Sequence, residues 1–375
     1  MESASTLDTL QNTLRERTRI ATDWKAQGKK VVGYRCMYVP EEIIYAADML
    51  PYPLYGTPEA VSVADSYFQT CTCEFIRNIF DHALEGKLQF LDNLVLCNTC
   101  DVVRRLYDMW NGYIDTCSCY MINNPQMLCT EANHTYYREE LDRFKKEMEK
   151  LSGNAITNEA LQHAIDIHNE TRGLLKDICM LRKQDNSPVS GTDMLHIVMA
   201  SSVMPKDKVN PLLRQLLEEV KTRKAPERNG PRIMITGSII DNPALIQLVE
   251  DVGGVVVADD LCTTTKYFWY QVEKADDPMD ALYKFNNERC LCACMHPTES
   301  RLEYLLELIE EFKVDGVIYF NLKYCHPFLY EAPLFRDKLQ ARGIPTIFLE
   351  AGHDLSGLGQ LQTRVQAFIE MLESE

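Results

Sequence analysis

Short apolar runs alternate with amphipathic stretches along most of the chain. Residues 7–28 have the spacing of a charged amphipathic helix. From Val31, apolar runs predict strands near 31–36, 52–56, 93–98 and 117–122, with helices near 40–49, 73–85 and 101–111. Pro40 suits the first turn of its helix, where a missing N–H costs nothing. Residues 135–225 change character. They are rich in Glu, Lys, Leu and Arg at helical spacing, contain no strand pattern, and predict long helices near 135–151, 157–183 and 206–224. Lys224-Ala-Pro-Glu-Arg-Asn-Gly-Pro231 then breaks the pattern with Pro and Gly. Beyond it, strands fit 232–236, 254–259, 315–321 and 345–350, and helices fit 243–252, 298–312, 331–342 and 358–373. Alternation of this kind predicts parallel sheets covered by helices. The expected architecture is α/β: two duplicated, doubly wound parallel-sheet domains (31–134 and 229–375) joined by a helical segment (135–228) and preceded by an N-terminal helix (1–30).

The two α/β units share a phrase. Val31-Val-Gly-Tyr-Arg-Cys36 and a helix from Pro40 in the first correspond to Arg232-Ile-Met-Ile-Thr-Gly237 and a helix from Pro243 in the second. Cysteines recur at matching points: Cys71-Thr-Cys73 with Cys292-Ala-Cys294, and Cys100 with Cys325, each of the latter just after a predicted strand. Right-handed crossovers put the strand C-termini of each sheet on one edge, where open α/β sheets bind ligands. A duplicated unit that delivers thiols to strand ends points to one metal site shared between two halves.

Composition adds limits. A chain of 375 residues, 46% apolar and 25% charged, can bury a large core without disulfides. The net charge of −16 argues against nucleic-acid or anionic-membrane partners. The longest apolar run, Met194 to Met204, is too short to span a bilayer, and Met1 to Asn12 lacks a secretory signal pattern. The expected compartment is the cytoplasm, where 14 cysteines would stay reduced and serve packing, metal ligation or redox chemistry.

Cys73, Cys100, Cys294 and Cys325 are the repeat-matched thiols, and four could hold an iron–sulfur cluster. Zinc competes, since tetrahedral thiolate sites use similar ligands. Ligands spread from Cys73 to Cys325 suit a buried site between domains better than a zinc knuckle. Cys97-Asn-Thr-Cys100 has redox-motif spacing, but Cys97 sits inside a predicted strand rather than at a helix start. Cys36, Cys117, Cys119, Cys129, Cys179, Cys262 and Cys290 have weaker cases. Cys117 and Cys119 share a strand face and read as packing, while Cys262 faces the crevice. Glu41 and Glu42 open a helix whose dipole favours carboxylates. His326 follows Cys325 directly and could donate a proton to a substrate; His296 precedes Pro297 near the second C-x-C. No Walker-type loop is present, so this chain is not expected to hydrolyse ATP itself, and no G-x-G-x-x-G follows a strand.

Val39-Pro-Glu-Glu-Ile-Ile-Tyr-Ala-Ala-Asp-Met-Leu-Pro51, Cys73-Glu-Phe-Ile-Arg77, Thr99-Cys100-Asp101 and Tyr324-Cys325-His326-Pro327 together resemble the 2-hydroxyacyl-CoA dehydratase and benzoyl-CoA reductase family. The resemblance runs from about residue 30 to 373. It implies two α/β domains with a helical portion, and one half of a heterodimer with a paralogous subunit. It implies three cysteines holding a [4Fe–4S] cluster, here Cys73, Cys100 and Cys325, with the fourth iron position open to another ligand. Cys294 has no fixed role in the family pattern, and His326 stands where relatives often have Asp. A separate ATP-dependent iron–sulfur activator would deliver a low-potential electron, and the cluster would reduce an acyl-CoA thioester to a ketyl-type radical. Asp259-Asp-Leu-Cys-Thr-Thr-Thr-Lys-Tyr-Phe-Trp269 and Arg104-Arg-Leu-Tyr-Asp-Met-Trp110 resemble the benzoyl-CoA reductase branch more closely. The expectation is therefore an iron–sulfur subunit of an ATP-driven acyl-CoA reductase. A 2-hydroxyacyl-CoA dehydratase subunit, a double-cubane reductase and a non-catalytic subunit holding a cluster or zinc are the alternatives.

Overall fold

A computed structural model describes residues 5–127, 130–227, 229–289 and 292–374. Cys129, Cys290 and Arg228 of the expected domain boundary lie outside the described residues. In chain order the elements begin α1 (Thr6–Arg15), α2 (Arg17–Ala26), β1 (Val31–Arg35), α3 (Glu41–Ala46), β2 (Leu50–Pro53), α4 (Glu74–Leu84), β3 (Asn93–Cys97), α5 (Asp101–Tyr113) and β4 (Cys119–Ile122). Four helices follow: α6 (Glu131–Ser152), α7 (Asn158–Met180), α8 (Gly191–Val203) and α9 (Lys206–Thr222). The second half holds β5 (Arg232–Gly237), α10 (Ala244–Asp251), β6 (Val255–Asp260), α11 (Thr265–Phe268), α12 (Pro278–Glu288), α13 (Thr298–Glu311), β7 (Gly316–Leu322), α14 (His326–Gln340), β8 (Thr346–Ala351) and α15 (Leu358–Ser374).

The strands form two all-parallel sheets of the same topology, β2-β1-β3-β4 and β6-β5-β7-β8. Strand order reverses between β1 and β3 in one sheet and between β5 and β7 in the other. A crevice opens above such a reversal, because the following helices depart to opposite faces. β1, β3, β5 and β7 are buried through most of their length, which is why their sequences are continuous apolar runs.

Several elements differ from expectation, each for a physical reason. The N-terminal helix is two helices, broken at Glu16 (φ −97°, ψ 19°). β2 starts at Leu50 rather than 52, in register with Val31; as an edge strand it tolerates Pro51 and Pro53. α8 occupies the apolar run expected to be merely too short for a membrane. It is buried on nearly every face, so it shows no amphipathic stripe. It starts with a capping box, Ser190 with Asp193, and packs against α1, α10, β2 and β6. Its Leu195, Met199 and Val203 share one core with residues of both sheets, and burial of each such side chain contributes on the order of 1.5–3 kcal/mol. The short α11 and α12 were not expected. α14 starts at His326, five residues before the expected start at 331; Pro327 sits in its first turn, where no N–H is needed.

The expected carboxylate role of Glu41 and Glu42 also changes. Both are buried at the start of α3. Glu42 pairs with Arg172 of α7, and Glu41 accepts from Tyr34 Oη at 3.3 Å with Lys206 Nζ 3.7 Å away. They tie the first sheet to the helical segment rather than only meeting a helix dipole.

Candidate functional site

Cys73, Cys100 and Cys325 occupy the same structural position: each is the N-cap residue of a helix, α4, α5 and α14 respectively. A thiol there faces the positive end of a helix, which favours its anion. Cys100 and Cys325 follow the central strands β3 and β7, so both lie at an order reversal. Tyr324 (φ +63°) makes the tight turn that delivers Cys325 to its helix, and Cys325 N–H donates to Leu322 O at 3.0 Å.

The three thiols line one cavity of about 110 Å³. Cys36, Cys262, Cys292 and Cys294 line it too, so seven thiols converge from both halves. Apolar walls come from Phe75, Ile76, Val102, Val103, Ile239 and Phe328. The other polar groups on the lining are Arg35, Thr99, Tyr324 and His326, with no carboxylate among them. Tyr324 and His326 are exposed and mark the mouth.

Neighbouring thiols shift one another's acidity. A hydrogen bond with Cys325 holds the Cys73 thiol below its usual range despite burial, and the N–H groups of Ile76 and Phe75 act in the same direction. The bond to Cys73, with burial, pushes Cys325 well up. Cys294 is raised by its hydrogen bonds to Cys100 and Cys292, and Cys292 is correspondingly lowered. A bond from Cys97 holds Cys36 down at about 6, while burial raises Cys97 well above its usual value. Burial raises Cys262 to about 11, although Lys266 opposes the shift. Cys97 ends β3 inside the core while Cys100 caps α5, so the Cys97-x-x-Cys100 spacing does not set both thiols at a helix start. Among the described residues, no three His, Cys, Asp or Glu side chains stand close enough to hold a single metal ion.

Other nominated residues separate clearly. Cys71 is exposed, unlike its repeat partner Cys292. Cys117 and Cys119 are buried in the first-half core, as packing residues are. Cys179 accepts from Arg182 at 3.1 Å inside the helical segment. His296 is exposed, and its N–H donates to Gln126 O at 2.8 Å. Sequence reasoning undervalued Cys36 and Cys292. The signal for Cys36 was available: it ends β1 at the position of Gly237, beside the strand-order reversal.

A linkage between halves lies behind Phe75. His353 Nε2 and Asp241 Oδ1 are 2.8 Å apart; Asp241 also accepts from Gly56 N–H at 2.7 Å, and Glu74 accepts from His353 N–H at 2.7 Å. Burial would lower the His353 pKa, but Asp241 outweighs it and raises it. Burial would raise Asp241, and His353 brings it down.

No helix among the described residues is long and apolar enough to cross a membrane. The profile of the family described as 2-hydroxyglutaryl-CoA dehydratase, D-component, matches residues 36–372. The chain is 28% identical to the (R)-phenyllactyl-CoA dehydratase beta subunit of Clostridium sporogenes over 92% of each chain. It is 28% identical to a benzoyl-CoA reductase subunit of Thauera aromatica over 94% of each chain. It is 26% identical to the beta subunit of (R)-2-hydroxyglutaryl-CoA dehydratase of Acidaminococcus fermentans, over 93% of this chain and 94% of that one. With the profile spanning nearly its whole length, the chain belongs to the 2-hydroxyglutaryl-CoA dehydratase D-component family, an enzyme subunit of the acyl-CoA dehydratase and reductase kind.

Proposed function

We propose that this chain is the iron–sulfur subunit of an acyl-CoA reductase of the benzoyl-CoA reductase type, holding a [4Fe–4S] cluster on Cys73, Cys100 and Cys325. The observation that carries the reading is that these three helix-capping thiols, drawn from both halves, line one apolar cavity. Their chemistry fits the group: thiolates are the ligands such clusters use, and helix N-termini favour thiolates. Bound there, the cluster would supply single low-potential electrons to an acyl-CoA thioester. The chain's own residues do the rest. Phe75, Ile76, Val103 and Phe328 keep water from the thiols, which strengthens electrostatics inside the cavity. Cys294, on the same cavity lining as Cys100, is the thiol nearest in role to a fourth ligand. His326 at the mouth is the imidazole placed to move a proton to or from a substrate. A paralogous subunit and an ATP-dependent activator complete the system on this reading; the subunit names of the relatives support the first.

A second reading, a 2-hydroxyacyl-CoA dehydratase subunit, is favoured by the equal identity to the phenyllactyl-CoA enzyme. The test is anaerobic purification with the genomic neighbours, followed by iron analysis and an acyl-CoA screen with the activator. The expected protein is brown, with about four irons per chain, and reduces benzoyl-CoA without dehydrating 2-hydroxyacyl-CoAs. Colourless protein with stoichiometric zinc would overturn the redox reading. About eight irons per chain would replace it with a double cubane. Dehydration alone would assign the other branch.

A further inference from the structure

Among the described residues, the buried cations Arg77, Arg172, Arg182, Lys206, Lys266 and Arg301 each stand beside a carboxylate. Arg289, 8% exposed at the end of α12, has no such partner. One guanidinium nitrogen donates to Met37 O at 2.6 Å and Asn286 Oδ1 at 2.7 Å, and Nε has no acceptor. The faces of Phe285 and Tyr38 lie 4.0 and 5.5 Å from its charge. Ring faces offset only part of the cost of burying an unpaired charge, so the site favours an anion.

Arg289 lines a cavity of about 270 Å³, separate from the thiol cavity and near the lower end of small-molecule sites, about 300 Å³. Tyr304 lines it too; its hydroxyl is buried without a partner, and burial keeps the phenol protonated as a donor. Arg289 and Tyr304 thus line one space, and each carries a buried donor atom without an acceptor. Lys274 and Lys284 at the rim are matched by Glu273 and Glu288, which leaves Arg289 as the unbalanced charge. Tyr270, 40% exposed, offers a ring face at the entrance.

We propose that this cavity binds the phosphate of a nucleotide, with Arg289 and Tyr304 donating to it and Tyr270 stacking on the base. Arg289 also holds the backbone of Met37, which lines the thiol cavity, so the two sites share a wall. Resting on the reading above, the ligand is the nucleotide end of the CoA thioester.

The test is anaerobic titration calorimetry of the full chain with CoA, ADP and inorganic pyrophosphate. Binding of CoA is expected, weakened at least tenfold by Arg289→Gln and less by Arg289→Lys. Ser300→Trp, which fills the cavity without touching Arg289, is expected to abolish binding while the circular dichroism spectrum is unchanged. Binding of ADP but not CoA supports the site and assigns it to a free nucleotide. Pyrophosphate alone binding, no binding at all, or affinity unchanged in both Arg289→Gln and Ser300→Trp overturns the proposal. Iron content and thioester reduction on the same samples keep the two readings apart. Intact iron and turnover with no nucleotide binding sinks only this site, and Arg289-dependent binding to iron-free protein sinks only the redox reading.

Discussion

The two halves share a sheet topology but contribute unequally to the cavity between them. Cys100 and Cys325 are true equivalents, each capping the helix after the central strand of its sheet. The C-x-C motifs are not. Cys73 caps α4 directly, whereas Cys294 is separated from α13 by Met295, His296 and Pro297, and its thiol is engaged by Cys100 and Cys292. Duplication therefore explains two thiols by symmetry and a third by its breakdown. Insertion of α12 before the second C-x-C is the visible difference between the halves. On the proposed cluster assignment, the same backbone frame carries unequal ligands and leaves a position for a substrate.

The sharpest break of this comparison is chemical. Cys100→Ser and Cys325→Ser are expected to lose most cluster iron and at least about 100-fold of activity. Cys73→Ser should match them, while Cys294→Ser should keep most iron and Cys71→Ser, exposed, should change nothing. Iron analysis of the purified variants decides. A Cys294→Ser variant as damaged as Cys325→Ser would restore the symmetric, four-thiolate site, and full iron in all three nominated variants would remove the ligand assignment.

Stability gives the next test. Gly237 ends β5 at φ +118°, and a Cβ there would run into the carbonyl oxygen of Phe320 on β7. Gly237→Ala is expected to cost about 3 kcal/mol or more, from backbone strain and the clash together. Urea unfolding midpoints check it. A loss below about 1 kcal/mol would mean β5 and β7 can separate at little cost.

The His353–Asp241 pair tests how the halves are joined. His353→Gln is expected to cost about 1–3 kcal/mol near pH 6, because the buried Asp241 carboxylate loses its charged partner and keeps, among the described residues, only the Gly56 N–H. The sign with pH follows from the shifts. The raised His353 value makes its contribution full below the unfolded histidine value, about 6.5, and lost as pH rises through the folded value. The lowered Asp241 value makes its contribution present above the unfolded aspartate value, about 3.9, and lost as pH falls through the folded value. The gap between wild type and variant should therefore be widest between about pH 4 and 6.5 and narrow as pH rises through the folded histidine value. A gap that stays constant over that range would show that the pair does not titrate on unfolding.

Most of the sheet framework was legible because buried parallel strands write themselves as apolar runs, as in Met234-Ile235 and Val255-Val-Val-Ala258. α8 was not, since burial on all sides erases the stripe by which a helix is recognised. The five residues of α14 before 331 were not legible either; Pro327 sits in the first turn, where no N–H is needed. Cys73, Cys100 and Cys325 stood out through repeat spacing and strand ends. Their common place as helix caps needed the structure, as did the crowding of Cys36, Cys262 and Cys292 around them. Arg289 carried no sequence signal, because an unpaired charge is visible only once its neighbours are known.

The smallest effect concerns the residue that corresponds to Gly237. Cys36 ends β1 at φ +100°, close to the +118° of Gly237, so both halves make the same left-handed turn after their first strand. The second half uses the residue that takes this turn without strain, and the first half uses a cysteine. A side chain held there costs about 1–3 kcal/mol, so the thiol is kept against the backbone's preference. Replacing it separates the two terms. Cys36→Gly and Cys36→Ala both remove the thiol that Cys97 engages, but only glycine relieves the turn. The glycine variant is expected to be more stable than the alanine variant by about 1 kcal/mol in urea unfolding. Equal stability would show that the turn tolerates a side chain, and the contrast between the halves would then rest on the thiol alone.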